Sequence, residues 1–312
     1  MGASVNTVTG WSPVVSVLMP VRNGGGYVDE AIASIVAQSF ESWELIVVDD
    51  GSIDDTPLRL AAWAKADPRI VIITQGPLGL VAASNASIGA ARGLYLARLD
   101  SDDVAHPKRL AWQVSYMERR PQLVVLGTAI RLFGERSGVL FTPLTDWGCR
   151  GRLLFENCFA HSSAMIRRSK VAGVLPLYET QSEFAEDLAL WMRLAPYGEF
   201  ANLPFPLVSY RVHGGQVSRE KVQILRAKHA RFSVTQWAGL GVAVSQEDFQ
   251  RFRWPDFREL GAWGVVLHSA HMVRVLSPML RTRYALQAFL WVSLVLSRNL
   301  IKALIPAARR FL

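Results

Sequence analysis

Cysteine is scarce in this chain: Cys149 and Cys158 are the only two among 312 residues, with eight residues between them. That excludes a disulfide scaffold and a zinc site of CxxC spacing. Two small buried apolar side chains in a reducing compartment are expected instead. Long apolar runs are also missing. AFLWVSLVL, from Ala288 to Leu296, is the longest near the C-terminus. It falls well short of the roughly 20 apolar residues that a bilayer-spanning helix needs. The opening residues, MGASVNTVTGWSP, hold neither the basic stretch nor the apolar stretch of a secretory signal. Asn6 stands where a myristoylation start would have Ser or Thr. A cytoplasmic location is expected. Internal repeats and low-complexity segments are lacking. Gly24-Gly25-Gly26 lacks the GxGxxG spacing, which argues against a dehydrogenase.

Acidic residues are absent after Glu259. The net charge of +8 therefore has to be read by position. From Arg219 onward, 15 Lys and Arg stand against 5 Asp and Glu; residues 1–218 carry 19 against 21. The first 218 residues are thus slightly acidic, and nucleic acid is not an expected partner. The division separates a first region over 1–218 from a helical, basic region over 219–312.

Half of the residues are hydrophobic, enough for a sizeable core. Val14–Met19, Glu44–Val48, Ile70–Thr74, Leu94–Leu99 and Leu123–Gly127 are short apolar runs that read as buried strands. Between them, Asp29–Ala37, Asp55–Ala66, Leu80–Ala91 and a stretch from Pro107 to about Arg119 read as helices. Strand and helix alternate through short connections. The fold class is therefore α/β, a doubly wound, mostly parallel sheet flanked by helices, with a helical C-terminal extension. Ligands of such sheets bind outside the carboxyl ends of the strands.

Three polar clusters fall at such ends: Pro20–Asn23, Asp49–Ser52 and Asp100–Asp103. In extended backbone, residues i and i+2 share a side, so Asp100 and Asp102 can face one cleft together. Carboxylate oxygens suit a hard cation, Mg²⁺ or Mn²⁺, which completes its shell with water and phosphate oxygens. Asp103 is the more ordinary of the three, expected in a turn that caps the helix opening at Pro107. Asp49 and Asp50 can accept hydrogen bonds from a base or a ribose hydroxyl, while Ser52 and Asp54 suit capping.

The segments VSVLMPVRNG, ELIVVDDGSIDDT and ARLDSDD, in that order and spacing, resemble family 2 glycosyltransferases of the GT-A fold. HSSAMIRRS at 161–169, EDLALWMRL at 186–194 and YRVHGGQVS at 210–218 extend the resemblance over about residues 14–218. The resemblance implies that Pro20, Val21 and Asn23 line a nucleotide pocket, with Asp50 at the base and Asp49 near the ribose. It implies that Asp100 contacts ribose or sugar, that Asp102 ligates the metal, and that His213 supports the metal or diphosphate. Asp187 matches the general base. His161 and Glu186 would lie near the donor or acceptor sugar, although a helix-capping part also suits Glu186. The implied donor is a UDP-, GDP- or dTDP-sugar, and the implied reaction is inverting. One departure stands out: GPLGLVAASN carries no charge between Thr74 and Arg92, where many relatives place a cation.

The expected activity is transfer of a sugar to an acceptor hydroxyl on a glycan or lipid-linked acceptor, in surface polysaccharide or glycolipid synthesis. A nucleotidyltransferase shares the metal and the sheet but does not need Asp187. A degenerate nucleotide-binding protein at the membrane would not need every acidic motif residue. In the C-terminal region, Trp237, Trp254, Trp263, Trp291, Phe252, Phe257, Phe289 and Phe311 accompany the basic residues. Between Ala285 and Leu312, apolar stretches alternate with Arg298, Lys302, Arg309 and Arg310. Such a segment fits an anionic membrane surface, placing the protein on the cytoplasmic face of the inner membrane; a helical lid is the alternative.

Overall fold

A computed structural model describes residues 12–214, 221–276 and, further on, 292, 293, 295–297 and 299. Four strands, β1 (Val15–Val21), β2 (Trp43–Asp50), β3 (Ile70–Gln75) and β4 (Tyr95–Arg98), lie parallel in the order β3-β2-β1-β4. Helices α1 (Val28–Val36), α2 (Thr56–Ala66) and α3 (Leu80–Ala90) connect them. Every residue of β1, β2 and β4 is buried. This is why these strands read as near-continuous apolar runs: a parallel sheet covered on both faces has no solvent side to mark with polar residues.

Beyond β4 the sheet turns mixed. The chain runs through β5 (Val104–Ala105), α4 (Arg109–Glu118), β6 (Leu123–Gly134) and β7 (Gly138–Leu140), then α5 (Asp146–Leu153). It continues with β8 (Met165–Arg167), α6 (Arg168–Val171), α7 (Glu186–Leu194) and β9 (Glu199–Val212). The order continues β4-β8-β6-β9-β5, with β7 on β6. The sequence points to a fifth strand over Leu123–Gly127; that strand runs on to Gly134 and does not neighbour β4. β8 lies between them, antiparallel to both.

The chain divides into two compact units. The first holds Met1–Phe141, Ala160–Tyr178 and Leu203–Val212, and so nearly all of the sheet. The second holds Thr142–Phe159, Glu179–Asn202 and His213–Leu312. Its core gathers Leu154, Phe155, Ala230, Trp237, Phe249, Phe252 and Met272. Trp237 meets Phe155 and Phe249 edge to face at 5.3 and 5.0 Å, and its Nε1–H donates to Leu154 O at 2.8 Å. Trp237 and Phe252 are thus core residues and present no face to a membrane. The segment from Ala285 to Leu312 lies outside the described residues except at 292, 293, 295–297 and 299, where Val292 and Val295 join the same core. Among the described residues, no helix is long and apolar enough to cross a membrane. Both cysteines are buried and free.

Candidate active site

β1, β2 and β4 point the same way, so the three polar clusters lie on one edge of the sheet. Pro20 and Val21 are buried and pair with Val48 and Asp49. Asn23 then adopts φ +52°, a left-handed conformation that its short polar side chain tolerates. Its N–H donates to Ser52 Oγ at 2.8 Å, and its Oδ1 accepts from the Ile53 N–H at 2.9 Å. The Gly24 N–H donates to Thr56 Oγ1, and the Gly25 N–H to Asp54 Oδ2. The loops after β1 and β2 are therefore locked to each other.

Asp49 and Asp50, neighbours in an extended strand, serve different loops. Asp49 Oδ1 accepts from the Ser52 N–H at 3.0 Å. Asp50 accepts from Gln75 Nε2 and from the N–H groups of Leu78 and Gly79, at 2.7, 2.9 and 2.9 Å. It thereby fixes the turn after β3. Gly51 between the loops has φ +72°, and a Cβ there would meet Pro77 at 3.0 Å.

The acidic turn after β4 rests on buried cations. Arg98 Nε donates to Asp100 Oδ1 at 2.7 Å, and Arg98 Nη1 donates to Ser84 Oγ at 2.9 Å. Arg109, fully buried, donates from Nη2 to Arg98 O at 2.7 Å and from Nε to Gln113 Oε1 at 3.0 Å. Burial pushes the Arg109 guanidinium down to about 10, against the pull of Asp103 and Asp100. Burial would raise the Asp100 carboxyl, yet the Arg98 charge first, and Arg109 more weakly, hold it below the ordinary carboxylate value. Asp103 goes the other way: burial, then Asp100 and Asp102, push it well above that value.

The expected capping role of Asp103 is not what it does. No side chain caps α4; Asp103 Oδ1 accepts from the Arg211 N–H at 2.9 Å and ties the turn to β9. Arg211 also donates from Nε to Asp102 O at 2.9 Å, forms an ion pair with Glu30, and lies over the rings of Tyr27 and Phe133. Motif and spacing alone do not single out Arg98, Arg109 and Arg211 as supports of this turn. A signal for the first was present: an arginine inside the apolar run LYLARL must find a counter-charge once buried.

His161 opens a short 3₁₀ turn, His161–Ser163, whose Ser162 Oγ accepts from the Asp100 N–H at 2.8 Å. His161 Nε2 and Tyr178 Oη are 2.7 Å apart. Burial, helped by the Arg98 charge, pushes His161 down to about 3 despite Asp100. Near neutral pH it is a neutral hydrogen-bonding group rather than a cation.

In the second unit, Asp187 lies in the first turn of α7. Asn157 Nδ2 donates to its Oδ2 at 2.7 Å, and the Leu188 N–H to its Oδ1 at 2.7 Å. Glu186 is buried at 9% exposure and does not cap the helix: the N-cap is Ala185, and no side chain bonds there. His213 follows the end of β9 and is half-buried.

Among the described residues, no three His, Cys, Asp or Glu side chains gather closely enough to enclose a metal ion. With Asp100 Oδ1 committed to Arg98, the donor set of the acidic turn fits a hard cation held by one or two carboxylates and completed by phosphate oxygens.

Comparison with known proteins agrees with this arrangement. The family model described as Glycosyl transferase family 2 matches residues 16–168. An uncharacterized glycosyltransferase of Haemophilus influenzae is 34% identical over 219 residues, 66% of this chain and 68% of that protein. The O-antigen biosynthesis glycosyltransferase WbnJ of Escherichia coli is 32% identical over 210 residues, 64% of this chain and 80% of that protein. Among solved structures, the mannosyltransferase PcManGT of Pyrobaculum calidifontis, in complex with GDP-Man and Mn²⁺, matches with a TM-score of 0.57 at 16% identity. That match covers 95% of this chain and 88% of the other, a likeness of fold. Sheet, acidic turn and relatives together show that the chain is of GT-A type and belongs to glycosyl transferase family 2.

Proposed function

We propose that this protein transfers a sugar from a nucleotide-diphosphate sugar to an acceptor hydroxyl with inversion at the anomeric carbon, and that residues 1–218 carry the catalytic function. The observation that carries the reading is the acidic turn, three carboxylates braced by Arg98, Arg109 and Arg211 on the sheet edge that also presents Asp49 and Asp50. In this reading Pro20, Val21, Asn23, Asp49 and Asp50 line the nucleoside site, and Asp100 contacts ribose or sugar. Asp102, supported by His213, would hold Mg²⁺ or Mn²⁺, which when bound neutralises charge on the departing diphosphate. Asp187 accepts the proton of the acceptor hydroxyl as that oxygen bonds to the anomeric carbon and the bond to the diphosphate breaks on the opposite face. Asn157 keeps the Asp187 carboxylate oriented. His161 and Glu186 serve the sugars, His161 as a neutral donor or acceptor.

A relative named for O-antigen biosynthesis supports a surface polysaccharide or glycolipid as product, with a glycan or lipid-linked acceptor. A structural neighbour bound to GDP-Man and Mn²⁺ supports the classes of donor and metal. A thermal-shift screen of UDP-, GDP- and dTDP-sugars tests the reading. One donor class should raise Tm only when Mn²⁺ or Mg²⁺ is present, because a ligand of the folded state stabilises it by mass action. No shift with any of the three would sink it.

The basic C-terminal region is proposed to rest on the anionic cytoplasmic leaflet. With Trp237 and Phe252 in the core, that role falls to Arg298, Lys302, Arg309 and Arg310. Replacing these four by Gln should abolish cosedimentation with anionic vesicles, since each basic residue contributes about 1 kcal/mol at such a surface. Unchanged binding would remove the proposal.

A further inference from the structure

Among the described residues, Asn23 and Phe184 are the non-glycine residues with positive φ. Asn23 belongs to the loop after β1. Phe184, at φ +68°, stands three residues before Asp187. A bulky side chain is disfavoured in the left-handed region, and such a conformation persists only where the surroundings over-determine it. Here the surroundings are specific. Ser182, 1% exposed, donates from Oγ to Glu179 O at 2.6 Å, and the Ala185 N–H donates to Ser182 O at 2.8 Å. Lys228, on the helix Val222–Gly239, donates from Nζ to Gln181 O at 3.2 Å and to Glu183 O at 2.5 Å; its Nζ lies 5.7 Å from the Phe184 ring centre.

The same helix also bonds the segment that carries Asn157. Trp237, fully buried, donates to Leu154 O. Three residues further on, Asn157 donates to Asp187 Oδ2. One helix of the C-terminal region therefore holds two chain segments next to Asp187: Lys228 bonds the strained turn before α7, and Trp237 bonds the segment that carries Asn157.

We propose that Lys228 is a positioning residue for Asp187, acting through the backbone of the Gln181–Phe184 turn, and that the helix Val222–Gly239 supports the catalytic base from outside residues 1–218. The inference rests on the reading of Asp187 as the base. It gives the C-terminal region a task separate from membrane contact. An ammonium that bonds the carbonyls of residues 181 and 183 in one turn fixes their direction, and with it the direction in which α7 starts.

Lys228→Met removes the ammonium and keeps most of the stem; Lys228→Arg keeps the charge. Both are compared with wild type and with Asp187→Asn, alone and combined, for kcat, KM, donor-induced thermal shift and amide exchange at 180–187. In Lys228→Met, kcat should fall about 10- to 100-fold, with Tm, KM for the donor and the donor-induced shift unchanged and with faster exchange in the turn. Lys228→Arg should recover part of the rate. In the Asp187→Asn background, Lys228→Met should cost nothing further. A wild-type kcat in Lys228→Met, or the same fold loss in both backgrounds, overturns the proposal. Near-normal turnover of Asp187→Asn would instead overturn the reading of the base, so the two failures are distinguishable.

Discussion

Asp187→Asn should fold and lose sugar transfer by about 10²- to 10⁴-fold in kcat, the range general base catalysis contributes. The substitution is isosteric, but the amide keeps one acceptor oxygen where the carboxylate offers two, to Asn157 Nδ2 and to the Leu188 N–H. Losing one hydrogen bond costs about 1 kcal/mol, so Tm should drop by only about 1–2 °C at this chain length. KM for the donor should hardly move, because the proton that Asp187 takes belongs to the acceptor. Initial rates against acceptor and donor concentration, with a melting curve of the same preparation, test all three statements. A kcat within a few-fold of wild type would remove Asp187 as the base.

Asp102→Asn should abolish the metal-dependent part of the donor-induced thermal shift and lower kcat/KM by about 10²- to 10³-fold, the scale of losing one stabilising contact to a developing anion. Exhaustive chelation of the wild type should produce a loss of the same size. Asp100→Asn separates the two carboxylates. Arg98 is nearly buried and its Nε is 2.7 Å from Asp100 Oδ1. Neutralising Asp100 leaves that guanidinium short of its counter-charge, at a cost of about 1–3 kcal/mol. Asp100→Asn should therefore lower Tm as well as activity, whereas Asp102→Asn should lower activity alone. Full activity after chelation, or a retained metal-dependent shift in Asp102→Asn, would end the assignment of Asp102.

Much of this site was legible because it is made by strand ends. A strand buried on both faces must be apolar until it leaves the sheet, so Asp49, Asp50, Asp100 and Asp102 mark the edge where polar chemistry begins. Strands β5 and β8 left no such mark. With two and three residues they have no period to read, and their pairing is imposed by β9, β4 and β6. The second half of β6 is likewise partly exposed and breaks the apolar run at Arg131.

The aromatic residues of the C-terminal region show the limit from the other side. A basic, aromatic, helical stretch has the composition of an interfacial helix, and composition does not say which face is covered. Only the packing of residues 142–159 against the helices after residue 221 turns Trp237 and Phe252 inward.

By itself the amino-acid sequence determined the alternating α/β order, the strand ends where polar residues gather and the carboxylates on them, since each follows from local burial pattern and spacing. The tertiary structure alone decided what those carboxylates meet. Arg98, Arg109 and Arg211 brace the acidic turn, Asp103 joins β9 rather than capping α4, and His161 is held neutral by burial. Charge and protonation depend on which groups are brought together and how far from water. Those are properties of contacts between distant segments, which no local pattern in the chain encodes.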